Sequence, residues 1–217
     1  MRDLTDAMQD YLKEIHKLRM EGRKPTTSAI AERMAVRPPS VTAMLKRLTS
    51  LGLAEHAPYR GVELTPAGER VALEVIRHHR LLEQYLAQAL GLSLDEVHSE
   101  ADRLEHAISE ELEARIDRSL GYPTHDPHGD PIPDADLRID RARLRTLASL
   151  EPGEEATICR VPGDDDELLR YLSKLALVPG ERVKLSRAEP FGGPLTVRVG
   201  KAEHAISREL ADGIGVT

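Results

Sequence analysis

Residues 121–134 read GYPTHDPHGDPIPD, and neither a helix nor a central strand can run through them. Four prolines remove backbone donors and fix φ, while the interleaved glycines and aspartates favour turns. The stretch is therefore a linker or an ordered extended arm, and it divides a chain of two characters. Before it, apolar residues recur at three- and four-residue intervals, the period of amphipathic helices. After it, Glu155 to Val161, Arg182 to Arg187, Leu195 to Val199 and Ala202 to Ser207 alternate or favour β-branched residues between Pro-Gly and Gly-Gly turns. One helix, Glu167 to Ala176, interrupts them. The expected fold class is mainly α with a small β-barrel at the C-terminal end.

Leu4, Met8, Tyr11, Leu12, Ile15 and Leu18 predict a first helix from Asp3 to Met20, stopped by Gly22. A short helix follows from Thr27 to Met34, with Thr26 or Thr27 as its N-cap. Pro38 and Pro39 suit the first turn of a third helix, whose inward stripe is Val41, Met44, Leu45, Leu48 and Leu51 and which Gly52 closes. Two strand-like runs around a Pro-Tyr-Arg-Gly turn predict a hairpin. Thr65-Pro66 opens a long helix to about Leu90, and helical patterning continues from Leu94 to Leu120. A further helical piece is expected from Leu137 to Ala148.

Trp is absent and Phe occurs once, so the core must be aliphatic. At 217 residues the chain suits one large domain or two small ones. No apolar run reaches the ~18 residues of a membrane span, and MRDLTDAMQD has no apolar signal-peptide region. The single Cys159 rules out an internal disulfide and fits a reducing cytoplasm.

A formal net charge of −7 argues against nucleic acid as a partner, because phosphate contacts need Lys and Arg. The charge is unevenly placed, however. Residues 1–60 hold 11 Lys/Arg against 7 Asp/Glu, a balance of +4, and the remainder holds 19 against 30, a balance of −11. Helix, turn, helix and hairpin in that basic head is the order of a winged helix-turn-helix. With its apolar stripe inward, the third helix leaves Arg37, Ser40, Thr42, Ala43, Lys46 and Arg47 outward, and Pro39 in its first turn is also an expected DNA contact. Ser40 and Thr42 can hydrogen-bond base edges, and Lys46, Arg47 and Arg60 of the hairpin suit phosphates. A helical hairpin with a solvated basic face is the plainer alternative.

The middle of the chain carries a second pattern. His79 and Glu83 stand four apart on the long helix, and Asp102, Glu105 and His106 stand at i, i+3 and i+4 on a later one, with His98 four before Asp102. Two such faces packed together would gather imidazoles and carboxylates around one volume, where a cation is the natural neutraliser. Mostly oxygen with imidazole and no thiolate suits Mn(II) or Fe(II) better than a structural zinc site. Surface ion pairs are the alternative. His125 and His128, with Asp126 and Asp130, read as part of a solvated loop, with metal binding in the linker as the alternative.

The strings MRDLTDAMQDYL, IAERMAV-RPPSVTAMLKRLTSLGL, YRGVELTPAG, RHHRLLEQYL, VHSEADRLEHAIS and GDPIP resemble the iron- and manganese-dependent repressors typified by the diphtheria toxin repressor and the manganese transport regulator. The resemblance covers the winged helix, the dimerisation helices and the linker, and is weaker over the last third. It implies a winged helix-turn-helix DNA-binding domain (1–64), a helical metal-binding and dimerisation domain with the Pro-rich linker at its end (65–136), and an SH3-like, FeoA-like domain (137–217). It implies a primary metal site of Asp10, Asp102, Glu105 and His106. It also implies an ancillary site of His79, Glu83 and His98, completed by Asp164 and Glu167 of the C-terminal domain. Iron-responsive members carry sulfur at the positions of Asp10 and Asp102. Carboxylates there shift the expected metal towards Mn(II), with Fe(II) second. A further N-terminal carboxylate of some manganese members aligns with Lys13, which puts their two-metal geometry in question here.

The expected function is a cytoplasmic homodimeric repressor, not an enzyme. It would bind palindromic double-stranded operator DNA when loaded with metal, with recognition helices about 34 Å apart, and control metal-uptake genes. A winged-helix regulator controlled by a non-metal ligand, and a metallohydrolase built on the same cluster, are the other readings.

Overall fold

The computed structural model describes residues 4–57, 61–139, 144–163 and 165–217. The chain resolves into two compact units, one of residues 1–78 with 133–138 and the other of residues 79–132 with 139–217.

The first unit opens with α1 (Asp6–Met20), α2 (Thr27–Arg33) and α3 (Pro38–Ser50). Thr26 caps α2 by accepting from the Ala29 N–H at 3.1 Å. Ala35, at φ 52°, turns the chain from α2 into α3, and Arg37 and Pro38 begin α3 as the proline pair predicts. The hairpin is β1 (Ala54–Ala57) and β2 (Gly61–Leu64), antiparallel, with Ala54 opposite Leu64. Met8, Leu12, Ile15 and Leu18 of α1 are fully buried against Ile30, Val41, Leu48 and Val62. Helix α4 (Pro66–Leu90) starts from this core, and Val71 and Ala72 belong to it. Its first turn is fixed by Thr65, whose hydroxyl donates to the Gly52 carbonyl at 2.7 Å and accepts from the Gly68 N–H at 3.2 Å.

In the second unit, the later part of α4 packs with α5 (Leu94–Leu104) and α6 (Glu110–Ser119) around Leu81, Leu82, Ala101, Ile116 and Ile132. The helical run expected from Leu94 to Leu120 is thus two helices. The chain restarts at Ser109, which caps α6 by accepting from the Leu112 N–H at 3.2 Å.

The Pro-rich stretch is an ordered arm. Its ends pair at Ile132 N–H to Thr124 C=O (2.9 Å) and through a His125–Pro131 bridge. The Asp126 carboxylate accepts from the N–H groups of both His128 and Asp130, each at 2.9 Å.

Two expectations for the last third need correction. Residues 137–139 are not helical, and Arg145–Thr146 form strand β3, paired with the chain's last strand β8 (Gly215–Val216). Leu147 then enters a single 3-10 turn, Leu147–Ser149, and is fully buried. The remaining strands are β4 (Glu155–Arg160), β5 (Arg182–Ala188), β6 (Leu195–Val199) and β7 (Ala202–Ile206), with α7 (Asp166–Lys174) between β4 and β5 and α8 (Arg208–Gly213) between β7 and β8. The sheet order is β3-β8-β4-β5-β6-β7, every pairing antiparallel. Among the described residues β3 and β7 are free edges, so the sheet is open and not the closed barrel expected. Strand β3 has two residues, and both pair with β8. Inside lies an aliphatic core of Leu147, Ile158, Leu169, Leu172, Val183, Leu185, Leu195 and Val197.

Candidate metal centre

His79 and Glu83 project from one face of α4, and His98 and Asp102 from one face of α5, each pair a single turn apart. The phase of α5 is set at its start, where the Glu96 carboxylate accepts from the Ser93 N–H (2.9 Å) and hydroxyl (2.7 Å). Glu105 ends α5 while still helical, at φ −57° and ψ −29°, and His106 follows in the turn.

Three ligand-type atoms converge between the helices. His79 Nε2 lies 2.9 Å from Glu83 Oε1 and 3.1 Å from His98 Nδ1, and His98 Nδ1 lies 3.1 Å from the same Glu83 oxygen. On its other side, His79 Nδ1 meets Glu105 Oε2 at 2.6 Å and Asp102 Oδ1 at 3.3 Å. His106 Nε2 stands 3.3 Å from Glu105 Oε1. His79 thus joins the two residue sets into one network. His79, Glu83 and Glu105 are buried, whereas Asp102, with 46% of its side chain exposed, forms the rim.

The electrostatics follow from that crowding. Burial pulls the His79 imidazole down, but the Glu83 charge and hydrogen bonds to Asp102, Glu105 and Glu83 outweigh it and hold the ring well above its ordinary value. Burial likewise opposes ionisation of Glu83, yet the His79 charge, the nearby His128 ring and hydrogen bonds from His79 and His98 hold it well below the usual carboxylate range.

The site has members that sequence spacing did not reveal. The arm delivers His128, 1% exposed, with Nε2 at 3.5 Å from Glu83 Oε1, too long for a good hydrogen bond. Neither ring nitrogen has a hydrogen-bond partner among the described residues. Asp126 is buried beside it and is pushed up to about 7 by burial and by the Glu83 and Asp130 charges, against the opposing Arg80 and His128. The solvated-loop expectation therefore holds for exposed His125 but not for His128 or Asp126. The available signal was the density of turn formers around one histidine, which marks a tight turn whose side chain must point somewhere.

A convergent nitrogen–oxygen triad with imidazole nitrogens beside it is a donor set that could hold a cation. Three family models match the chain: the iron dependent repressor N-terminal DNA binding domain over residues 3–62, its metal binding and dimerisation domain over residues 65–134, and the FeoA domain over residues 145–217. The diphtheria toxin repressor of Corynebacterium efficiens is 40% identical over 230 residues, covering 99% of this chain and 100% of that protein. The chain belongs to the iron-dependent repressor family. The iron-dependent repressor IdeR of Mycobacterium leprae is 33% identical over 228 residues, covering 100% of this chain and 99% of its own length. A manganese-dependent transcriptional repressor solved with manganese superposes with a TM-score of 0.87 at 37% identity, covering 96% of this chain and 98% of the other.

Membership of the iron-dependent repressor family makes the chain a metal-dependent transcriptional regulator, not an enzyme, with a DNA-binding and a metal-binding and dimerisation domain. In the family's DNA-binding domain, Arg37, Pro39, Ser40, Thr42, Lys46 and Arg47 are all exposed on or next to α3. The Thr42 hydroxyl donates to its own helix at Pro38 C=O (3.1 Å), which leaves its lone pairs outward. Asp10 is half-buried on α1. Glu167 is exposed in the first turn of α7, where its N–H donates to Asp165 at 2.8 Å, and it joins none of the ligand clusters among the described residues. Arg60 and Asp164 lie outside the described residues.

Proposed function

We propose that this chain is a homodimeric, cytoplasmic repressor that binds palindromic operator DNA when loaded with Mn(II), or secondarily Fe(II), and controls metal-uptake genes. The observation that carries the metal reading is the mutual approach, within 3.1 Å, of His79 Nε2, His98 Nδ1 and Glu83 Oε1. Two imidazole nitrogens and a carboxylate oxygen facing one another can share few protons but can all face a cation. His79, Glu83 and His98 are the proposed ancillary ligands. His128 joins them because its buried nitrogens lack hydrogen-bond partners among the described residues. Asp102, Glu105 and His106, with Asp10 from α1, are the proposed primary set, and the family resemblance supports that division. Asp164 and Glu167 remain proposals from resemblance alone.

A bound divalent ion would offset the negative charge of the proposed ligands Asp10, Glu83, Asp102 and Glu105, which otherwise adds to the repulsion of an anionic partner. Oxygen donors at Asp10 and Asp102, and the manganese-dependent repressor among the similar structures, favour Mn(II). Ligands contributed by both the DNA-binding and the metal-binding domains make loading a differential bias on the DNA-competent state. The proposed domain division is 1–64, 65–136 and 137–217.

DNA reading is tested by fluorescence anisotropy on the palindromes upstream of the chain's own gene. Lys46→Ala should weaken binding about equally for operator and mutated duplexes and lower the salt slope by about 1, as loss of one phosphate contact requires. Ser40→Ala should instead relax discrimination. An unchanged slope in Lys46→Ala and in Arg47→Ala would place the DNA on another face.

A further inference from the structure

We infer that Arg80 is a positioning residue for the metal centre, acting through Asp126 and the arm to set His128 against Glu83. The inference rests on the reading of His128 as a ligand. Arg80 stands on α4 one turn before Glu83, so it shares that face. Its Nη1 donates to the Pro131 carbonyl at 2.6 Å, and its Nε lies 3.5 Å from Asp126 Oδ2. The planar guanidinium thus grips the arm at both ends of its tight turn. Asp126 relays the grip, because its Oδ1 accepts the His128 and Asp130 N–H groups at 2.9 Å. The turn is also held from the far side, where the His128 carbonyl accepts from the Val161 N–H at 2.9 Å and the ring lies against Gly163.

Charge and position make opposite forecasts. A guanidinium one turn from a cation site repels the cation, so by charge alone its removal tightens metal binding. As a positioning group its removal frees the arm and weakens binding, and outer contacts of this kind are typically worth about 10- to 100-fold in metal affinity.

The test is calorimetric titration of Mn(II) into the metal-free full chain, following the binding component that His128→Ala loses. Arg80→Met is expected to weaken that component about tenfold or more, and Arg80→Lys, which keeps the charge but cannot grip both points, to weaken it as well. In the His128→Ala background, Arg80→Met should change the remaining Mn(II) affinity less than about twofold, because non-additivity marks residues acting as a unit. Asp126→Asn, which keeps the Oδ1 acceptor for the turn but sets an NH2 donor against the guanidinium in place of Oδ2, should weaken the component as well, and it tests the relay even if Arg80→Met fails to fold; an unchanged component there would break the relay. Unchanged or tighter binding in both Arg80 variants would overturn the positioning role while leaving His128 a ligand. If His128→Ala loses no component, the ligand reading fails and the inference falls with it.

Discussion

Glu83→Ala should cost the metal-free protein about 3 kcal/mol, because the removed carboxylate is the one that three imidazoles share. Glu83 is 2% exposed, and the His79 ring charge on it has no water to screen it. Without Glu83, His79 keeps only Glu105 and Asp102 as acceptors on its other side, while His98 and His128 lose their common partner. Urea denaturation should show a lower midpoint at unchanged slope, the mark of lost stability without a changed unfolded state. Glu83→Gln, which keeps an oxygen acceptor but no charge, should fall between. A midpoint within error of wild type would mean that the three imidazoles are held by packing, and that the charged network contributes little.

Gly129→Ala should destabilise the protein more than Gly180→Ala, although both glycines have nearly the same left-handed backbone, at φ 88° and 92°. A Cβ at Gly180 meets nothing within 4 Å, so its cost is backbone strain alone, about 1–2 kcal/mol. A Cβ at Gly129 would lie 1.8 Å from the Cys159 carbonyl oxygen, inside any permitted contact, and the arm must move off strand β4. Such a shift breaks the Val161 N–H to His128 C=O bond and withdraws the imidazole from Glu83. Gly129→Ala should therefore lose the same Mn(II) binding component as His128→Ala, while Gly180→Ala keeps it. Equal stability losses in the two variants would show that the arm has room to yield.

The contrast between these residues explains how much was legible in the sequence. Helical period alone located α1 to α4, since the stripe from Leu4 to Leu18 and the stops at Gly22, Gly52 and Gly91 are local facts. The same period placed His79 with Glu83 and His98 with Asp102, because residues four apart on a helix face one way whatever the fold. It could not show that His79 would bridge both sets, which depends on how α4 meets α5. His128 was hidden for a related reason. It lies 45 residues beyond Glu83 in a stretch without period, and tertiary contacts, those with Val161 and Gly163 among them, turn it inward. Leu137 to Ala148 was misread because Arg145 and Thr146 find their partner at Gly215 and Val216, and no local pattern announces a strand made by the chain's last residues. The −7 net charge, which first spoke against DNA, gathers carboxylates in the body of the chain, several of them at the metal centre.

The most direct test of the account is operator affinity in two conditions, excess Mn(II) and chelator, read by anisotropy on one labelled palindromic duplex at fixed ionic strength. The account predicts binding tighter with Mn(II) by about one to two powers of ten, the usual size of coupling between two linked sites, and loss of that difference in Asp102→Ala. Equal affinity in chelator and in excess Mn(II) would contradict it.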